Sequence, residues 1–188
     1  VNEEKQRIRN LIKERRTSLS KEEISEAGRC LAELFFEIPD EDLKKALKHA
    51  KTIGLYRAVG GEVPCDMLAG ELEKRGFKTA FPRVEESGIV FRTASVSDET
   101  SFAPGAFNIP EPLATCGEAA PEVVIVPALA YNDEGARLGM GGGYYDKYSA
   151  AHKAFYIGVV YDFQICSQIP VEEHDMYVDL ILPLETEE

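Results

Sequence analysis

VVIVPALAYNDEGARLGMGGGYYDKY, running from Val123 to Tyr148, opens with four consecutive β-branched apolar residues. Val123-Val124-Ile125-Val126 offers no polar face, so it reads as a strand covered on both sides, the habit of a parallel sheet. The run then passes through a polar turn and a glycine cluster into a helix over about 144–151. The same alternation extends to both sides. Short β-rich runs fall at Thr52–Tyr56, Lys78–Phe81, Ile89–Thr93, Phe155–Val160 and Leu180–Leu182, and a helical stretch at 64–75 opens with Pro64. Strand and helix in alternation predict an α/β fold of three layers, α/β/α, with a largely parallel central sheet and the site at the carboxyl ends of its strands.

Helices precede the sheet. Residues 3–18 carry apolar side chains at Ile8, Leu11 and Ile12, followed by Leu19. Residues 21–37 follow a Ser20-x-x-Glu23 capping box and present Ile24, Leu31, Leu34 and Phe35, and a third helix over 40–49 starts at Asp40. Phe102 to Glu118 is rich in proline and glycine and reads as a long surface connection. With 188 residues and no internal repeat, the expected unit is one domain spanning 1–188.

Hydrophobic residues make up 44% and charged residues 29%, close to globular averages, which argues against disorder and coiled coil. The longest apolar runs fall far short of the about 18 residues that cross a bilayer, so no membrane partner is expected. The formal charge is −12, which disfavours nucleic acid as a partner. The charge is uneven: Lys5, Arg7, Arg9, Lys13, Arg15 and Arg16 outweigh Glu3, Glu4 and Glu14 at the start, giving a basic arm on an acidic body. Cys30, Cys65, Cys116 and Cys166 lie far apart without a CxxC pair, so reduced thiols are expected. The first ten residues, VNEEKQRIRN, have no apolar core of a secretory leader, and a cytoplasmic location is the expectation.

Gly139, Gly141, Gly142 and Gly143 let backbone N–H groups approach an anion, with a helix N-terminus behind them and Arg137 and Lys147 on the flanks. The pattern is neither GxGxxG nor GxxxxGK[ST], and the same glycines also suit a tight turn against the sheet. At about 100° per residue, Arg9 and Arg16 fall within about 40° of Lys5, beside the stripe of Ile8, Ile12 and Leu19. Cations at that margin either snorkel to solvent or meet an anion held against the body. Glu62, in a Gly-Gly-Glu-Val-Pro turn after the first strand, stands where open sheets place active groups, although a lone loop glutamate is usually exposed. Asp146, Asp175 and Asp179 could supply oxygens to a hard cation. His49, His152 and His174 show no metal spacing, and no covalent nucleophile has a recognisable context.

Together these residues resemble the 5-formyltetrahydrofolate cyclo-ligase family: Lys5-Gln6-Arg7-Ile8-Arg9, Glu62-Val63-Pro64, Phe107-Asn108-Ile109-Pro110-Glu111-Pro112, the run Arg137 to Lys147, and Ile169 to Asp179. Lys147 stands where arginine is usual, Asn108 where glycine is common and Ala128 where glycine often follows the strand proline. The resemblance implies ATP- and Mg²⁺-dependent conversion of 5-formyltetrahydrofolate to 5,10-methenyltetrahydrofolate, in a monomer or small homo-oligomer whose partners are these small molecules. It implies Lys5, Arg9, Arg16, Arg137, Gly139, Gly141, Gly142, Gly143, Tyr144, Tyr145, Asp146 and Lys147 at the nucleotide, and Asp146 and Asp175 at Mg²⁺. Glu62, Tyr56 and Tyr145 would face the folate, with Glu62, Lys5 and Arg137 as catalytic groups. A same-fold binding protein without ring closure, or an ATP-dependent enzyme on another heterocycle, are the competing expectations.

Overall fold

A computed structural model describes residues 2–186. Its helices are α1 (Asn2–Thr17), α2 (Lys21–Leu34), α3 (Glu41–His49), α4 (Asp66–Lys74) and α5 (Tyr144–Ala151). Its strands are β1 (Thr52–Gly54), β2 (Lys78–Glu85), β3 (Gly88–Thr93), β4 (Phe102–Pro104), β5 (Pro110–Pro112), β6 (Glu118–Ala119), β7 (Val123–Val126), β8 (Ala130–Tyr131), β9 (Arg137–Leu138), β10 (Phe155–Tyr161) and β11 (Leu180–Leu184).

Seven strands form one sheet in the order β11-β10-β7-β1-β2-β3-β6. The pairs from β11 to β2 are parallel, and β3 lies antiparallel to both β2 and β6. The expected largely parallel sheet is therefore present, with an antiparallel edge. β7 is buried at all four positions, and period-2 alternation sends Val123 and Ile125 into the core under α2, α3 and α4, and Val124 and Val126 into the core under α5. These two cores make the three layers. A third cluster seats Ile8 and Ile12 of α1 on Leu129, Ala130, Leu138 and Ile169.

Local chemistry starts the helices where expected. Ser20 Oγ accepts from the Glu23 N–H while the Ser20 N–H donates to Glu23 Oε2, the reciprocal capping box, and Asp40 accepts from the Leu43 N–H. Glu3 and Glu4 at the start of α1 and Arg15 and Arg16 at its end complement the helix dipole.

Several boundaries differ from expectation. α4 starts at Asp66, because Cys65 takes the N-cap position and leaves Pro64 outside the helix. The strand expected over Thr52–Tyr56 leaves its ladder after Gly54, and Phe35–Glu37 tightens into a 3₁₀ turn. Leu11, expected on an apolar face, is exposed because it lies about 60° beyond Ile8 at the edge of the buried stripe, and Leu34 is exposed although its azimuth falls within about 20° of buried Ala27. The stretch read as a plain connection holds the β4 and β5 hairpin, anchored by buried Glu111, whose Oε1 accepts from the N–H groups of Val84 and Ala106. Prolines suit such a short two-stranded edge, which is why composition alone suggested a loop.

Candidate active site

The sheet order reverses between β1 and β7. From β1 the chain passes through α4 to β2 on one side, and from β7 through α5 to β10 on the other. An open sheet leaves a crevice outside the carboxyl ends of two strands that diverge in this way. The Glu62 turn follows β1 and the glycine run follows β7, so both expected loops border it. α1, resting on β8, carries its three margin cations to three separate segments.

Lys5, buried despite its charge, donates from Nζ to Asp175 Oδ2 at 2.6 Å and Glu172 Oε2 at 2.8 Å. Burial alone would lower the pKa of this ammonium, but the hydrogen bonds to Asp175 and Glu172 outweigh it and hold it above its ordinary value. Asp175 is held below the ordinary range: burial pushes it up, and Lys5 with the Glu172 N–H pulls it further down. Arg9 donates from Nε to the Gly139 carbonyl at 2.9 Å. Arg16 is 4% exposed and sets Nη1 3.7 Å from Glu62 Oε1, so it meets the glutamate turn rather than the glycine run. Of the two options open to marginal cations, Lys5 and Arg16 take the anion. Arg7, Glu3 and Glu14 stay exposed on the far side.

Glu62 is held from below. Its Oε2 accepts from the Val59 N–H at 3.0 Å, and Gly60 and Gly61, both in left-handed backbone, fold the turn against Arg16. A Cβ at Gly61 would stand 2.9 Å from the Arg16 carbonyl oxygen, so the close approach requires glycine. Burial raises the Glu62 pKa, opposed by the Val59 N–H and the charges of Arg16 and Arg137. Tyr56 lies beneath, 3% exposed, with its hydroxyl donating to the Val63 carbonyl at 2.6 Å, so it braces the turn rather than lining open space.

Arg137, on β9, donates from Nε to the Pro127 carbonyl at 2.7 Å and lies over the Tyr145 ring, 4.8 Å from its centroid. A Cβ at Gly139 would collide with that guanidinium. Gly141 and Gly142 are exposed, Gly143 takes a left-handed backbone (φ 66°) as the N-cap of α5, and Tyr144 packs edge-on to Phe107. Lys147 is exposed on α5. Asp146 Oδ1 accepts from the Met176 N–H at 2.8 Å while the Met176 carbonyl accepts from the Arg137 N–H at 3.0 Å. Both sides of the Met176 backbone are thereby clamped, which places Asp175 against Lys5 and brings the Asp146 carboxylate to the peptide nitrogen next to Asp175. Asp179 accepts from the Tyr156 N–H and serves the sheet.

Glu172 was not among the expected site residues. Its signal was the acidic run Glu172-Glu173-His174-Asp175, opposite in sign to the basic arm. Among the described residues, Glu172, His174 and Asp175 bring potential ligand atoms within 4.8 Å of one another, with Lys5 already bound there.

Helices on both faces of a largely parallel sheet, with the Glu62 turn and the glycine run at the reversal of strand order, define a doubly wound α/β protein. The chain matches the 5-formyltetrahydrofolate cyclo-ligase family model over residues 1–183 and belongs to that family, a family of ligases. The 5-formyltetrahydrofolate cyclo-ligase of Mus musculus is 28% identical over 97% of this chain and 94% of its own length. That of Escherichia coli K12 is 26% identical over 88% and 92%. The solved 5,10-methenyltetrahydrofolate synthetase of Aquifex aeolicus superposes with a TM-score of 0.78 at 29% identity, covering 94% of this chain and 88% of that one. The Mycoplasma pneumoniae synthetase shares the fold, with a TM-score of 0.73 at 23% identity over 94% and 96%. No described helix is long and apolar enough to cross a membrane.

Proposed function

We propose that the chain, acting as one domain, uses ATP and Mg²⁺ to cyclise 5-formyltetrahydrofolate to 5,10-methenyltetrahydrofolate, releasing ADP and phosphate. The observation that carries this reading is the single face of α1, which delivers Lys5, Arg9 and Arg16 to the acidic loop, the glycine run and the Glu62 turn. The N5-formyl oxygen is a poor leaving group, so it first forms a bond to the γ-phosphorus of ATP while the bond from that phosphorus to ADP breaks. N10 then forms a bond to the formyl carbon, the carbon–oxygen bond breaks with its electron pair leaving on phosphate, and the N10 proton departs. No enzyme nucleophile is required, in keeping with a sequence that offers none.

Phosphoryl transfer of this kind depends on positioning and charge stabilisation. Gly139, Gly141, Gly142 and Gly143 offer backbone donors without a Cβ, ahead of the start of α5, with Lys5, Arg9 and Arg137 as the neighbouring cations and Tyr144 and Lys147 at the rim. Tyr145, stacked on Arg137, holds that guanidinium and faces the folate. Glu62 orients the substrate and accepts the N10 proton, for which a carboxylate with a raised pKa is suited. Asp146, whose Oδ1 accepts from the Met176 N–H, and Asp175, the residue before Met176, are oxygen donors of the kind Mg²⁺ prefers and would hold it. When bound, the ion supplies neutralisation of phosphate charge.

The test is purified protein with Mg²⁺, ATP and 5-formyltetrahydrofolate, following the near-ultraviolet absorbance of the methenyl product and phosphate release against a control without ATP. ATP-dependent formation of both products supports the reading. ATP binding with neither product would overturn it in favour of a binding protein or a different heterocyclic substrate.

A further inference from the structure

Of the three margin cations of α1, Arg16 alone meets neither the glycine run nor the acidic loop. Its guanidinium lies inside the protein under the Gly60 and Gly61 turn, and among the described residues its Nε and Nη1 are buried without hydrogen-bond partners. The Nη1 to Glu62 Oε1 separation, 3.7 Å, is an ion-pair distance but too long for a hydrogen bond. The buried hydroxyl of Tyr161, at the carboxyl end of β10, is likewise unpartnered. Burying a guanidinium with spare donors is costly unless its charge is answered, and the nearest carboxylate is Glu62. An arginine sealed in this way cannot reach a nucleotide phosphate without leaving its place beneath the turn.

We propose that Arg16 is the positioning residue of Glu62, holding that carboxylate ionised and directed into the crevice, and is not a nucleotide ligand. This rests on the cyclo-ligase reading for the role of Glu62.

The surroundings of Glu62 leave Arg16 little help. Arg137 on β9 is the other cation acting on it, and the Val59 N–H is its backbone donor. The remaining titratable groups around it are Tyr56 and Cys65 from its own side, Tyr131 of β8, Tyr145 of α5 and Tyr161 of β10. Burial pushes the pKa of every one of these up, so they stay neutral and supply no charge. Arg16 and Arg137 thus share the task of opposing the desolvation of Glu62, and only Arg16 is sealed against it.

The experiment is a double-mutant cycle of Arg16→Met and Glu62→Gln, with pH profiles. In Arg16→Met, kcat/KM for 5-formyltetrahydrofolate is expected to fall at least about tenfold, with the acid limb moved up by about one pH unit and KM for ATP within about twofold of wild type. In the Glu62→Gln background the same change should cost less than about twofold more, because the group it acts through is gone. Arg16→Lys should return the acid limb part of the way. A KM for ATP raised about tenfold with an unmoved acid limb would overturn the proposal and make Arg16 a nucleotide ligand, as would losses that multiply across the cycle. Should Arg16→Met not fold, Arg16→Gln takes its place. NMR titration of the Glu62 carboxyl carbon in the free protein provides a readout without substrate: an unmoved titration in Arg16→Gln overturns the proposal. A moved titration with no cyclisation by the wild type removes only the cyclo-ligase reading.

Discussion

Lys5 Nζ lies 2.6 Å from Asp175 Oδ2, so an ammonium in the second turn of the first helix is bound by a carboxylate in the loop before the last strand. The contact joins α1 to the segment that Asp146 and Arg137 also clamp through Met176. Lys5→Met keeps the packed aliphatic stem and removes the charge, leaving Glu172 and Asp175 facing one another. The expected result is a KM for ATP raised at least about tenfold and a melting temperature lowered by about 2–4 °C, measured by steady-state kinetics and a thermal melt.

Glu62 ties activity to a stability penalty. Its pKa is raised above the ordinary 4.5, first by burial, so between that value and the raised one the native chain keeps a proton that the unfolded chain has released. Stability from this group is full below the ordinary value and is lost as pH rises through the raised one. Glu62→Gln removes that dependence. Whatever offset the unpaired Arg16 guanidinium adds, the variant's melting temperature relative to wild type should rise between about pH 4 and about pH 7.5, and cyclisation should slow by about 100-fold or more. Melts at both pH values and the absorbance assay check this.

Gly139 faces the Arg137 guanidinium with no room for a methyl group. Gly139→Ala must displace Arg137 from the Pro127 carbonyl and the Tyr145 ring while leaving both cores untouched. An unchanged melting temperature within about 2 °C, with kcat/KM for ATP lowered at least about tenfold, is the expected pairing. Equal affinity for ATP would place Arg137 outside the nucleotide site.

Asp146 serves two purposes that can be separated. Asp146→Asn retains an oxygen to accept from the Met176 N–H but lacks the charge, whereas Asp146→Ala loses both. The asparagine variant should fold like wild type and need about tenfold more Mg²⁺ for half-maximal rate. The alanine variant should also loosen the 172–177 segment, seen as faster amide exchange there. A Mg²⁺ requirement unchanged in Asp146→Asn would leave this carboxylate as a backbone clamp only.

The parts of the molecule legible in advance are those where a local pattern has one physical solution. Val123 to Val126 could only be a doubly covered strand, and Ser20 with Glu23 marked a helix start to the residue. The two-residue strands β6, β8 and β9 are too short to show a period. The β4 and β5 hairpin was concealed by Pro104, Pro110 and Pro112, and its anchor Glu111 looked like any loop carboxylate. Angular arithmetic put Lys5, Arg9 and Arg16 on one face, but their partners lie far along the chain. That Arg16 would meet Glu62 and Lys5 would meet Glu172 depends on how the crossovers close, which no local window contains.

α1 is one rigid rod of sixteen residues with a contact at each stage of its length: the acidic loop at Lys5, the glycine run at Arg9 and the glutamate turn at Arg16. A rod pinned at three places acts as a gauge of the spacing between them, so a ligand that shifts one loop alters the tension at the other two. Nucleotide and folate would therefore not bind as strangers. Whatever factor the first adds to the affinity of the second, the second returns to the first, and the size of that shared factor is written into a single helix.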